Sequence, residues 1–341
     1  METPTKAIER LRREIGPDLS ILAHHYQNDD IVRHADLTGD SLELARKIPA
    51  LSARHVVFCG VFFMAETAAI LANPGQKIHN PEPEAGCVMS EMAPEVVAKA
   101  VMDRLATLGR RIVPLTYVNS SAGIKALVGA AGGAVCTSAN AKKMLAWALT
   151  QGEAVLFLPD KNLAQNTADQ LGLPPSERAL LDIRAMGEKL DLTAAAKAKL
   201  LMWPGLCLIH HRFKTEHIAS ARQNAPGVKV VVHPECPPEV VAAADAAGST
   251  SFIIRYVAEA PEGAVVAIGT EINLVRRLAK QYAGKKTIFP LIPSACLNMA
   301  KVTEAKLAAL LADIEHAPAT RVDPAMAASA KLALERMLAV S

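Results

Sequence analysis

The 341-residue chain has six cysteines but no C-x-x-C pair, no glycine-rich loop of the GxGxxG or GxxxxGK[ST] kind, and no long apolar run. Each absence excludes a class of protein. Without C-x-x-C, zinc-ribbon, ferredoxin and thioredoxin-like readings lose their local signature, so any shared cysteine site has to be assembled in space. Without a phosphate-binding loop, neither a dinucleotide nor a nucleoside triphosphate is indicated. The longest apolar run, Val56 to Ala65, is half of the roughly 20 residues that a membrane span needs. The N-terminal METPTKAIERLRREIG carries no apolar stretch before a cleavage site and reads as a charged helix, so a soluble, cytoplasmic chain without a disulfide framework is expected. Charge of one sign is missing as well: 37 Lys and Arg against 34 Asp and Glu leave +3, too balanced for a chain whose main partner is nucleic acid. What remains is 51% apolar residues, ample core for two or three domains of about 100–200 residues each.

The chain repeats itself three times. The first segment has a charged helix at 4–15, an apolar strand Leu19 to Ala23 ending in His24-His25-Tyr26, a helix from Ser41, a strand His55 to Cys59, another helix, a short strand near Lys77 to His79, and Cys87. The second copies that order with helix 93–108, strand Ile112 to Thr116 ending in Tyr117-Val118-Asn119, a helix from Ser138, strand Ala154 to Leu158, and Cys207. The third has helix 213–223, strand Val228 to Val232 ending in His233-Pro234-Glu235, a helix from Ser249, strand Ala264 to Ile268, a helix from Glu271, strand Thr287 to Leu291, and Cys296. From the polar strand end to the closing cysteine there are 63 positions in the first segment (24 to 87), 63 in the third (233 to 296), and 90 in the second (117 to 207). The excess falls in Leu171 to Leu200, which reads as extra helix. The expected domains are therefore 1–92, 93–211 with a helical insertion near 171–200, and 212–300, followed by a C-terminal helical segment, 301–341. Apolar β-branched strands alternating with amphipathic helices give parallel sheets covered on both faces. The fold class is thus α/β: three homologous three-layer αβα domains with parallel sheets around a pseudo-threefold axis.

Three sets of residues recur at equivalent places. Cys87, Cys207 and Cys296 close the segments in loops rich in Gly or Pro; singly each reads as a small buried hydrophobe, but together on an axis they form a soft metal site. Three thiolates suit a zinc ion with an open position, or three irons of a 4Fe-4S cluster whose fourth iron is free. Cys59 and Cys136 read as core, and Cys236 as a neighbour of the site. Ser41, Ser138, Ser249 and Thr250 stand at helix starts, where such residues either cap orphan N–H groups or join helix N-termini in binding carboxylate or phosphate. His24 with Tyr26, Tyr117 with Asn119, and His233 with Glu235 sit two apart at strand ends, so each pair shares a face and can supply general acid and base. Ligands in such sheets bind outside the carboxyl ends of the strands, which places the site between the domains.

The motifs AHHYQ, GDSLELA, CGVFFMAET, AGC, YVNSSA, CTSANA, LPDKNL, WPGLCLIH, HPECPPEV, GST, IGTE and CLNM resemble, in order, those of the quinolinate synthase family from about residue 20 to residue 300. The resemblance implies condensation of iminoaspartate with dihydroxyacetone phosphate to quinolinate, phosphate and water, in the de novo route to NAD. It implies a 4Fe-4S cluster held by Cys87, Cys207 and Cys296, its open iron a Lewis acid, and a catalytic set of Glu235, His233, Tyr26, Tyr117 and His24 with Glu235 as the proton-transferring base. By the same resemblance Asn119, Ser41, Ser138, Ser249 and Thr250 join His24, Tyr26, Tyr117, His233 and Glu235 in binding substrate. It leaves open a functional coupling to an enzyme that produces iminoaspartate. CLNM departs from family members that carry extra cysteines beside the third ligand, so no redox-sensitive pair is expected there. A non-catalytic iron-sulfur metabolite sensor and a zinc-dependent hydrolase with a three-cysteine metal site are the competing readings.

Overall fold

The computed structural model describes residues 2–340. Three parallel sheets follow one another along the chain. The first holds β1 (Leu19–His24), β2 (Leu37–Gly39), β3 (His55–Cys59) and β4 (Lys77–His79), in the order β2-β1-β3-β4. The second holds β5 (Ile112–Tyr117), β6 (Ala134–Cys136), β7 (Ala154–Leu158), β8 (Arg178–Leu180) and β9 (Leu200–Met202), in the order β6-β5-β7-β9-β8. The third holds β10 (Lys229–Val232), β11 (Ala246–Ala247), β12 (Val265–Gly269) and β13 (Thr287–Pro290), in the order β11-β10-β12-β13. All three sheets share one topology and are α/β, as the repeat in the sequence implies. In each, the chain leaves its first strand to one side and returns on the other, a switch point whose carboxyl end is where such sheets bind ligands.

The middles of the central strands are apolar and buried, as in Val56, Val57 and Phe58 of β3 or Val230, Val231 and Val232 of β10, because helices cover both faces. One apolar core runs through the first two sheets and the C-terminal helix, whereas the third sheet has a separate core on each face. The helix Glu304–Ala312 packs on the helix Pro4–Ile15, and Pro324–Val340 packs on the helix Ala122–Ala130 and β6. The second contact is close: a Cβ at Gly129 would lie 1.9 Å from the Ser329 carbonyl oxygen. Among the described residues, no helix is long and apolar enough to cross a membrane.

Two expectations need correction. The 171–200 stretch is not simply added helix: only Leu192–Lys197 is α-helical, and Arg178–Leu180 forms β8 on the edge of the second sheet, pairing with β9 in the register Arg178↔Leu200. Pro174, Pro175 and Gly172 interrupt any continuous helix, and the open backbone of β9 offers the segment hydrogen bonds that outweigh its helical composition. The helix expected from Ser138 begins at Ala141, because Asn140 Oδ1 accepts the Thr137 N–H (2.6 Å) and holds residues 137–140 in a turn.

Candidate active site and metal centre

The first strand of each sheet delivers its terminal residues into one cavity of about 440 Å³. His24 ends β1, Tyr117 ends β5, and His233 follows β10; all three line it, with Tyr26, Asn119 and Glu235 two positions on. The edge strands contribute next. Ser41, Ser138 and Thr250 follow β2, β6 and β11 and reach the same cavity, whereas Ser249 lies in an adjoining recess. The capping alternative for these residues separates them. Ser249 Oγ accepts the Phe252 N–H (3.3 Å), but Asp40 caps the helix that begins at Ser41, and Ser138 precedes its helix. The hydroxyls of Ser41 and Ser138 are thus spared the work of ending a helix.

Cys87, Cys207 and Cys296 also line this cavity and are partly accessible, whereas Cys59, Cys136 and Cys236 are buried. Their local structures repeat. Each cysteine carbonyl accepts the N–H four residues on, from Glu91 (3.1 Å), His211 (2.9 Å) and Ala300 (3.1 Å). Each thiol is also approached by the N–H three residues on, from Ser90, His210 and Met299, which favours the thiolate form. Burial outweighs these donors, pushing Cys87 up to about 12 and raising Cys207 and Cys296, so a metal is needed to keep the sulfurs charged. A tetrahedral zinc ion at about 2.3 Å from each sulfur would hold thiolates about 3.8 Å apart. The three thiols do not form a group within 4.8 Å of one another; the one such metal-capable group among the described residues is Cys207, His210 and Glu235.

The acid–base set is densely wired. Tyr26 N–H donates to His24 Nδ1 (3.1 Å), and Glu235 N–H donates to His233 Nδ1 (3.4 Å), the same bond in the first and third repeats. Burial, reinforced by neighbouring imidazoles, lowers both histidines to about 3. Each is therefore neutral with its proton on Nε2. His233 Nε2 donates that proton to Ser138 Oγ (3.2 Å), leaving the serine hydrogen for a ligand. Glu235 Oε2 lies 2.5 Å from His210 Nδ1, His210 Nε2 lies 3.0 Å from Thr270 Oγ1, and Thr270 Oγ1 lies 2.7 Å from the Tyr26 hydroxyl. His210 also stacks on His233 at 4.3 Å. Burial would raise the Glu235 pKa, but His210 and the Tyr117 hydroxyl hold it below the ordinary carboxylate value. Asn119 Oδ1 and Glu235 Oε1 are buried acceptors without a partner, a cost that a donor on a ligand would remove.

Several of these residues were not singled out from the sequence. His210 stands three after Cys207 in WPGLCLIH, a C-x-x-H spacing that was available as a signal. Arg212, just beyond it, is a cation at the cavity. Asp160 and Glu271 follow the third strands, β7 and β12, by two positions, the offset that marks Tyr26 and Asn119 after the first strands. Glu271 Oε1 accepts the backbone N–H of Cys296 (3.3 Å) and so fixes the cysteine loop of its repeat, while Asp160 pairs in a parallel bridge with Gly205, two residues before Cys207.

A family model described as "Quinolinate synthetase A protein" matches residues 6–339. The quinolinate synthase of Anoxybacillus flavithermus is 45% identical over 348 residues, covering 99% of this chain and 94% of the relative. Those of Acidobacterium capsulatum and Streptomyces coelicolor are each 42% identical, covering 98% and 96% of this chain and 92% and 86% of the relatives.

Proposed function

The chain belongs to the quinolinate synthetase A family, and from that premise we propose that it is a quinolinate synthase condensing iminoaspartate with dihydroxyacetone phosphate to quinolinate, phosphate and water. The observation that carries the reading is the meeting of three partly accessible cysteines, one from each repeat, with the strand-end acid–base residues in a single cavity. Cys87, Cys207 and Cys296 would hold a 4Fe-4S cluster. Their shared N–H donors suit thiolates, the form in which a cluster is held. When bound, such a cluster supplies a Lewis acid that helps a hydroxyl depart as water.

The chain's own residues gather two anionic substrates and move protons. Ser41, Ser138 and Thr250 donate to carboxylate or phosphate oxygens, and Arg212 adds positive charge for the departing phosphate. His24 Nε2–H donates into the cavity, while Asn119 Oδ1 accepts from the substrate nitrogen. Glu235 Oε1 takes a proton from the carbon that forms the new bond; Oε2 faces His210 Nδ1, and Thr270 connects His210 Nε2 to the Tyr26 hydroxyl. A metabolite sensor has no use for this wired set.

Anaerobic purification with iron and sulfide analysis, a visible spectrum and a quinolinate assay on both substrates tests the reading. A brown protein with about four irons per chain that forms quinolinate is expected. A colourless zinc protein, or a loaded one inert toward the two substrates, would overturn it.

A further inference from the structure

Seven large apolar side chains are exposed among the described residues, and three of them stand immediately after the cysteines that close the repeats: Val88 (41% exposed), Leu208 (49%) and Leu297 (77%). All three line the same cavity as Cys87, Cys207 and Cys296; the other four, Val96, Leu180, Met186 and Leu332, do not. An exposed apolar residue standing alone is ordinary on any protein surface. Three at one position of a threefold repeat, around one cavity, are an arrangement. The backbone sets it. Because each cysteine carbonyl accepts the N–H four residues on, the residue after the cysteine opens a helical turn in every repeat, and Val88 and Leu208 begin the helices Val88–Glu91 and Leu208–His211. Two positions further on, His210 and Met299 are buried, so each turn keeps its first side chain on the open side. At such exposure, packing against the chain itself does not account for these residues. The apolar shell of a metal site governs the access of water and, through it, the reduction potential.

We propose that Val88, Leu208 and Leu297 form an apolar collar around the centre held by Cys87, Cys207 and Cys296, one side chain from each repeat, which keeps water from the sulfur–iron bonds and leaves the polar residues of the cavity to the substrates. The inference rests on the reading of the three cysteines as metal ligands. It gives the collar no part in proton transfer or substrate binding; its work is to hold the centre in a dry surround.

The test compares anaerobically loaded wild type with the triple variant Val88→Thr, Leu208→Gln, Leu297→Gln, and with Leu297→Gln, Leu297→Met and Leu180→Gln alone. The triple variant is expected to release iron to EDTA about 10-fold faster and to shift the reduction potential upward, because water admitted to the centre favours its more negative, reduced state. Leu297→Gln should move both in the same direction by less. Leu297→Met, which keeps an apolar side chain, and Leu180→Gln, which removes an exposed leucine away from the cavity, should match wild type. A merely structural role would lower the unfolding midpoint and leave the potential where it is. If the triple variant does not fold, the contrast between Leu297→Gln and Leu297→Met decides the matter. Equal iron release and equal potential in the loaded wild type and triple variant would overturn the collar, as would a change in Leu180→Gln as large as that in Leu297→Gln. A wild type that binds no iron would instead sink the metal-centre reading beneath it, and the collar with it.

Discussion

For Glu235, burial and hydrogen-bonding neighbours pull in opposite directions. Burial alone would leave it protonated and unable to accept a proton; His210, 2.5 Å away, and the Tyr117 hydroxyl keep it ionised. Substituting Gln at 235 should therefore retain iron yet lower quinolinate formation about 10²- to 10⁴-fold, measured in single turnover; a smaller loss would move the base elsewhere. Removing His210 tests the sign. In His210→Asn burial is less opposed, the Glu235 pKa rises, and the acid limb of the kcat/KM profile should move to higher pH; an unmoved limb would show that His210 does not tune Glu235. His233 and Glu235 were legible because two-apart spacing at a strand end is a pattern in one dimension. For His210 the spacing from Cys207 was available but the role was not, because its partners Glu235 and Thr270 come from another repeat.

Long strands and helices were legible from their apolar runs, as were the edge strands near Lys77 to His79 and Thr287 to Leu291, but the opposite edge strands were not. Leu37–Gly39, Ala134–Cys136 and Ala246–Ala247 are too brief to carry a pattern of their own; pairing with β1, β5 and β10 makes them strands. Through those edge strands the serines are aimed, and there sequence reasoning could not tell a cap from a ligand contact. The structure gives the two roles to different residues. Ser249→Ala removes a side chain that ends the helix Thr250–Glu259, and should cost about 1 kcal/mol in denaturant unfolding while changing KM little. Ser138→Ala removes no cap, so its unfolding midpoint should stay near wild type while KM for dihydroxyacetone phosphate rises several-fold. The reverse pattern would exchange the two assignments. The β8 edge was likewise unreadable, since Arg-Ala-Leu becomes a strand only beside an open β9.

Over the whole molecule, the third repeat is attached differently from the other two. The first two sheets share an apolar core with the C-terminal helix, while polar groups make the third repeat's specific links. Asn166 Nδ2 donates to the carbonyls of Pro234 (2.7 Å) and Cys236 (2.9 Å), and Asn162 Nδ2 to that of Glu235 (3.2 Å). Arg277 donates to the carbonyls of His25 (2.9 Å) and Gln27 (2.6 Å) and pairs with Asp29. Interfaces of this kind open more readily than a shared core. A centre bound by Cys87, Cys207 and Cys296 would tie all three repeats at one point, and a group that binds only the assembled form stabilises it. Chelating the metal under anaerobic conditions should therefore lower the melting temperature by several degrees and deprotect amides first around 233–240 and 271–277, with the shared core of the first two sheets little changed. Cys207→Ser should reproduce the effect without a chelator. Cys236→Ser should not, because its sulfur is buried against the Gly269 carbonyl (3.7 Å) and does not line the cavity. Equal hydrogen exchange with and without metal would mean that the centre does not bridge the repeats, and the convergence of the three cysteines would then lose its structural meaning even if each still touched iron.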